Sequence, residues 1–264
     1  MKTKLVLLAL LLACFLGILS GCSKNSHPSL KVAATSVPHA EILEFIKPKL
    51  QEQGINLSII TVEDYNIPNR ALQDGEVDAN FFQHIPFLNA QMKDFGYDLE
   101  GLTAVHLEPM ALYSRKLRNL NELKPKSTVA IPSDPSNQAR ALALIQQQGL
   151  IRLKKTDAKS NVLDIIDNPH QLQFIEIDSP LLTRSLDDVD LAAITTNFAL
   201  QAGLLPKKDA LAVEDAHSLF VNVLVIRKGD EQREDIQALK TALTSPEVKT
   251  FIDEHYQGAV IPAF

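Results

Sequence analysis

From Leu30 onward, short apolar runs of strand length alternate with amphipathic helical stretches, and this alternation restricts the chain to an α/β fold with mainly parallel strands. Leu30–Ala34 predicts a first strand. Glu41–Gln53 then carries Ile42, Ile46 and Leu50 at four-residue spacing ahead of Gly54, the pattern of a helix with its stop signal. Pro48 inside it predicts a kink or break, because a mid-helix proline removes an N–H and crowds the preceding turn. Leu57–Val62 predicts a second strand, Asn69–Asp74 a short helix, Val77–Phe82 a third strand, and Pro86–Phe95 a helix closed by Gly96. Two long apolar strands follow, Thr103–Ser114 and Leu219–Arg227. Between them lies a second series: strand Thr128–Ile131, helix Pro135–Gln148, strand Leu172–Ile177, helix Pro180–Leu186 and strand Leu191–Thr195. The end of the chain is helical over Glu234–His255, interrupted at Pro246. This order predicts one lobe from residues 30–112 and 227–264, an inserted second lobe from 113–226, and the two long strands as crossovers.

Ahead of the folded part, Lys2 and Lys4 precede an apolar run from Leu5 to Leu19, too short to span a bilayer comfortably but suited to an export signal. The run ends in Leu19-Ser20-Gly21-Cys22, which resembles the bacterial lipobox. The resemblance implies a signal peptide over 1–21, a lipid thioether on Cys22, and a small polar tether to residue 29. Cys14 leaves with the signal and Cys22 is consumed by lipid, so the folded part contains neither disulfide nor thiolate. An exported protein without disulfides must be held by its core. A chain of 264 residues, 45% of them hydrophobic, is large enough to supply one.

The formal charge of −6, with no basic and aromatic cluster, gives no reason to expect nucleic acid as a partner. No Gly-x-Ser-x-Gly elbow, phosphate loop or dinucleotide fingerprint is present, so an enzyme is not expected, nor a cofactor. The seven histidines are scattered, without metal-ligand spacing, and no metal site is expected.

Two stretches carry chemistry. Val77–Leu88 sets Phe81, Phe82 and Phe87 beside Asn80, Gln83 and His84, the mixture of rings and aimed polar groups that a small-molecule pocket needs, although alternating aromatics at a strand end also occur as plain core. In Val129–Arg140, Asp134 is a good helix N-cap and Pro135 suits the first helical position. Asn137 and Arg140 then share a face at the positive end of the helix, where a guanidinium can grip a carboxylate through two hydrogen bonds. An ordinary capped helix with a solvated arginine has the same sequence pattern.

Taken together, Asp78-Ala-Asn-Phe-Phe-Gln-His84 with Pro86, Glu108-Pro-Met-Ala-Leu-Tyr-Ser114, Ile131-Pro-x-Asp-Pro-x-Asn137 with Arg140, Leu186-Asp-Asp-Val-Asp-Leu-Ala192 and Val221-Asn-Val-Leu-Val225 resemble the methionine-binding lipoproteins of bacterial ABC importers, the MetQ or NlpA type. The resemblance covers the mature chain. It implies a type II periplasmic-binding-protein fold, two α/β lobes with a ligand cleft, which would deliver methionine or a close relative to an ABC permease and its ATPase. It also implies a monomer anchored in the bacterial envelope. By motif position, Tyr65, Phe82, His84 and Phe87 would wall the thioether chain, and Asn137, Arg140 and Asn222 would hold the amino-acid end. The chain departs from the family at Ile194-Thr-Thr-Asn-Phe-Ala199, where Thr195 stands in place of an expected asparagine and Asn197 could compensate. Ala111 and Ala139 replace common glycines, and Phe87 replaces a common tyrosine. D-methionine, a methionyl dipeptide, or a receptor fold turned to adhesion or envelope interaction remain open alternatives.

Overall fold

The structure is a computed structural model describing residues 29–215 and 219–264. The expected signal segment, Cys22 and all but the last residue of the tether lie outside these residues. Strand β1 (Leu30–Thr35) leads through a turn at Ser36–Ala40 into helix α1 (Glu41–Glu52), then β2 (Leu57–Val62), α2 (Ile67–Gln73), β3 (Ala79–His84), α3 (Ile85–Phe95) and β4 (Leu99–Leu107). A second series follows: β5 (Ala111–Tyr113), β6 (Thr128–Pro132), α4 (Pro135–Gln147), the small pair β7 (Arg152–Leu153) and β8 (Ile165–Asp167), β9 (Gln173–Ile177), α5 (Leu182–Ser185), β10 (Leu191–Ile194), α6 (Thr196–Gln201), α7 (Pro206–Asp209) and β11 (Ala210–Val213). The chain returns through β12 (Val221–Arg227), α8 (Glu234–Leu243), α9 (Pro246–Tyr256) and β13 (Ile261–Pro262).

Two main sheets result. The first has the order β13-β4-β12-β3-β1-β2 and the second β11-β5-β10-β6-β9. The expected dominance of parallel strands gives way to mixed sheets: β1 pairs in parallel with β2 and β3, and β6 with β9 and β10, whereas β12, β4, β5, β11 and β13 join antiparallel. Helical crossovers create the parallel part. Segments that leave one sheet for the other and return run back against their neighbours.

The single long strand expected over Thr103–Ser114 is two, β4 in the first sheet and β5 in the second, interrupted at Glu108-Pro109-Met110. Proline has no N–H to give to a ladder, so the pairing stops there and the chain changes sheets. It crosses back between β11 and β12. Pro48, by contrast, interrupts nothing. Helix α1 continues through it because Pro48 is exposed, where water can satisfy the carbonyl it leaves without a partner, while Ile42, Leu43, Ile46 and Leu50 bury the opposite side.

Under the first sheet α1, α8 and α9 bury Leu43, Ile46, Leu239 and Ile252 against Val32, Phe81 and Leu224. In the second, α4 packs Leu142 and Ile145 onto Val129, Ile131 and Leu191. These two cores place the end of β3, the start of α4, the start of α6 and the Glu108–Met110 crossing opposite one another.

Candidate functional site

Every residue of β3 is buried, and its polar members are satisfied within the protein. Asn80 and Gln83 join Asn69 in a ring of amide bonds of 2.5–2.9 Å, anchored by Asn80 on the Pro68 carbonyl. Pairing with β12 skips Phe82, since Phe81 faces Leu224 and Gln83 faces Val223. Such a bulge re-aims the strand end. Phe81 goes into the core, and Phe82 and His84 line a cavity.

Phe82 meets Tyr65 at 5.9 Å and Phe87 at 5.8 Å, and Tyr65 meets Phe87 at 5.6 Å, ring centroid to ring centroid. These three rings make a wall that favours edge and offset contacts. His84 is the N-cap of α3: its Nδ1 accepts from the Phe87 N–H at 3.1 Å, so Nε2 carries the proton and donates to Asn137 Oδ1 at 3.1 Å. Burial, with Arg140 nearby, lowers its pKa to about 3 and keeps it neutral.

Tyr65 joins the two sheets. Its hydroxyl donates to Asn197 Oδ1 at 2.6 Å and lies 3.0 Å from Thr195 Oγ1. Strand β10 stops at Ile194 and α6 begins at Thr196, so Thr195 and Asn197 belong to a helix start and not to a continued strand. That geometry brings both to one phenol, and the Asn197 amide nitrogen remains buried without a partner. We expect Tyr65→Phe to leave buried polar groups unpaired and to cost about 1–3 kcal/mol. In a thermal melt this is a loss of several degrees, on the order of 2–4 °C per kcal/mol; an unchanged melt would mean the bond contributes nothing.

At the opposite end, Asp134 caps α4 by accepting the Asn137 N–H at 2.9 Å, and its two oxygens take the Asn137 amide at 3.1 Å each. With Oδ1 bonded to His84, both ends of the Asn137 amide are engaged inside the protein. Arg140 does grip a carboxylate with two hydrogen bonds, but that carboxylate is Glu214: Nε lies 3.0 Å from Oε1 and Nη2 2.5 Å from Oε2. Nη2 also donates to the Glu108 carbonyl, and the guanidinium lies 4.5 Å over the Phe220 ring. Nη1 makes none of these bonds. A solvated arginine is excluded, since Arg140 is 4% exposed.

Beneath the cavity the scattered histidines partly converge. Glu108 Oε1 lies 2.7 Å from His106 Nε2 and 3.2 Å from His39 Nε2. His39 Nδ1 is 2.7 Å from Thr35 Oγ1, and its Nε2 is 3.4 Å from Asn222 Oδ1. Burial lowers both imidazole pKa values to about 3 and raises that of Glu108. Ligand atoms of these three residues lie within 4.8 Å of one another. The atoms a metal would need are the ones bonded to each other.

The cavity is lined by Tyr65, Phe82, His84, Phe87, Asn137, Arg140, Thr195, Asn197 and Asn222, together with Gln83 and Glu108. Counting its open mouth, it encloses about 330 Å³ of space not filled by atoms.

The sequence profile of the NlpA lipoproteins matches residues 30–264. The chain belongs to the NlpA lipoprotein family. Among its relatives, the methionine-binding lipoprotein MetQ of Bacillus subtilis is 39% identical, with 98% of each chain covered. The D-methionine-binding lipoprotein MetQ of Escherichia coli is 37% identical, with 92% of each covered. A nutrient-binding protein from Burkholderia cenocepacia, solved bound to methionine, superposes with a TM-score of 0.86 at 39% identity, covering 89% of this chain and all of that one. The two-lobed fold expected from the sequence is the fold of this NlpA-family chain.

All nine side chains expected at the ligand site therefore face one cavity of this NlpA lipoprotein. Gln83 and Glu108 join them without having been expected there. Gln83 sits between Phe82 and His84, where strict alternation would turn it away, and only the bulge brings it in. Glu108 lies two residues after a strand histidine and directly before the proline that ends the ladder. That position, an acid at the point where the chain changes sheets, is the signal that could have found it.

Proposed function

We propose that this protein is the lipid-anchored receptor of an ABC importer, that it captures methionine between its two sheets, and that it delivers it to a permease driven by an ATPase. The observation that supports this most is the division of one cavity into an aromatic wall, made by Tyr65, Phe82 and Phe87, and a polar end containing Arg140, Asn197 and Asn222. A polarizable thioether suits ring edges, and an amino-acid head suits a guanidinium and amides in a site shut from water. The methionine-bound Burkholderia relative and the MetQ relatives bear the same ligand in their names. Binding would stabilise the closed form because each lobe contributes contacts to one ligand.

Anchoring belongs to the same reading. Cys22 would carry lipid and hold a monomeric receptor on the envelope membrane, and no helix among the described residues is long and apolar enough to cross a membrane. The relatives named as membrane and outer membrane lipoproteins, from Treponema pallidum and Mannheimia haemolytica, are 37% and 39% identical.

The test is calorimetry on protein unfolded and refolded to remove any carried ligand, titrated with L-methionine, D-methionine and methionyl dipeptides. One-site heat with a methionine isomer is expected, at higher affinity than any dipeptide. No heat from any of them, in protein shown to be folded, would remove the transport reading and favour adhesion or another envelope role.

A further inference from the structure

The two lobes also meet away from the cavity. Helix α6 starts at the cavity, where Thr195 and Asn197 reach Tyr65, and runs outward until Leu200 packs beside Val37 and Ala40 against the core of the first sheet. The chain then turns into α7, whose form is fixed by Asp209. The Asp209 carboxylate accepts the Leu205 N–H at 2.8 Å, and its own N–H bonds back to the Leu205 carbonyl. Residues 195–209 are thus one seam of second-lobe chain, laid from the ligand cavity across the first lobe.

At the far end of that seam, Lys207 of α7 reaches the end of α9. Its Nζ donates to the Gln257 carbonyl at 2.8 Å. Gln257 caps α9 in the left-handed conformation, with φ of 50°. The last carbonyls of a helix have no partner within it and carry the negative end of its dipole, so an ammonium there gains a hydrogen bond and a favourable field together. The next residue makes the room. Gly258 has φ of 84°, and a Cβ added to it would overlap Lys207 Nζ and come within 2.9 Å of Cε. Glycine suits position 258 twice over, by its backbone conformation and because the lysine stem lies where a side chain would stand. A side chain at 258 would displace the lysine.

Around this contact the lobes stand apart. A groove with about 1060 Å³ of space not filled by atoms, counting its open mouth, lies between Val37, Glu41 and Tyr256 of the first lobe and Leu200, Leu205 and Pro206 of the second. Lys207 bridges its two sides. The described residues that line the ligand cavity include neither Lys207 nor Gln257 nor Gly258. We infer that Lys207, seated on Gly258, is a clasp between the lobes that sets how tightly the receptor holds its ligand without touching it. A ligand that needs both lobes binds only the fraction of molecules in which they are together, and the apparent affinity scales with that fraction. A bond between the lobes raises the fraction. Because water reaches the clasp, its effect is modest: a charge-assisted hydrogen bond at a helix end, discounted for solvent, is a factor of about three to ten. The effect on affinity rests on the receptor reading given above; the contact itself does not.

The experiment is calorimetry with L-methionine on the refolded full chain in detergent, for the wild type, Lys207→Met, Gly258→Ala and the double variant, with melting temperatures taken without ligand. Lys207→Met keeps the stem and removes the donor, so affinity should fall by about three- to tenfold. Gly258→Ala keeps the donor and fills its seat, and affinity should fall by a similar factor. Both changes remove one contact, so the double variant should bind no more weakly than the weaker single variant. A contact that is structural only would lower the melting temperature and leave affinity unchanged. That result overturns the inference, and so do losses that simply add. If Gly258→Ala does not fold, Lys207→Met decides, because undiminished affinity in it overturns the clasp alone. If the wild type does not bind methionine, the methionine reading fails separately, and the clasp is tested without ligand by the distance between spin labels on Lys49→Cys and Lys154→Cys, at exposed positions of the two lobes. A longer mean distance in Lys207→Met upholds the clasp, and an unchanged one overturns it.

Discussion

Replacing Arg140 by alanine should abolish measurable methionine binding and also lower the stability of the ligand-free protein. The binding loss follows from the removal of the one cationic side chain that lines the cavity among the described residues, a truncation that typically costs 2–5 kcal/mol, or about 30-fold to several thousandfold in affinity. The stability loss follows from what Arg140 holds without ligand. Its guanidinium grips Glu214 along one edge and donates to the Glu108 carbonyl, while the Glu214 side chain is only 13% exposed. Breaking such a pair leaves a largely desolvated carboxylate and costs about 3 kcal/mol, the lower end for a fully buried pair, because some water reaches Glu214. Arg140→Lys keeps the charge but not the two-pronged geometry, so it should fall between the two. Calorimetry and urea unfolding separate the two effects. Retained affinity in Arg140→Ala would remove Arg140 from the site, and retained stability would mean that the Glu214 pair contributes nothing.

That double role was not legible in the sequence. The spacing from Asp134 to Arg140 sufficed to predict a capped helix with Asn137 and Arg140 on one face, and the side chains are there, 2% and 4% exposed. What the spacing could not supply was the partner. Glu214 lies far along the chain, in the return segment between β11 and β12, and only the crossing of the chain between sheets brings it to α4. The same limit explains His39, which lies far in sequence from His106 and Glu108 and meets them because β1, which leads into its turn, and β4 belong to one sheet.

Local signals were reliable where local physics decides. Gly96 ends α3 in the left-handed conformation with φ of 72°, as its position after the helical pattern predicts. Leu57–Val62 has the expected bounds. The signal failed where tertiary context overrides propensity: Pro48 stays within a helix because its exposed side tolerates a missing bond, and apolar Thr103–Ser114 does not stay one strand because Pro109 cannot continue the ladder. Strand β11 and helix α6 follow β10 with little periodic pattern, so neither was foreseen. The helix start at Thr196 matters most for the site, since it brings Thr195 and Asn197 to the Tyr65 hydroxyl, a convergence that strand alternation alone could not guarantee.

The buried histidines set the second large effect, a loss of stability in mild acid. His39, His84 and His106 are each lowered to a pKa of about 3, with burial the largest cause in every case. An unfolded chain would protonate them near 6.5, so between about 6.5 and 3 the unfolded state binds more protons than the folded one. Their stabilising contribution is therefore complete above about pH 6.5 and declines as the pH falls. At about pH 4.5 each histidine withholds on the order of a few kcal/mol, so the three together reach the range of a typical total stability of about 5–15 kcal/mol. Glu108 and Asp134 work in the other direction. Burial raises both their pKa values, so the folded state takes up their protons before the unfolded chain does and recovers part of the loss. Three histidines against two carboxyl groups leave the net sign with the histidines, because each carboxyl returns stability only from its raised value down to about 4. Melting temperatures from about pH 7.5 to 4.5 should drop below about 6.5, at a slope of up to three protons per molecule from the histidines less the up to two that Glu108 and Asp134 return. His84→Gln, outside the Glu108 cluster, should reduce that slope by about one proton. A flat profile would mean that these imidazoles are charged in the folded protein, and the neutral state assigned to His39, His84 and His106 would be wrong.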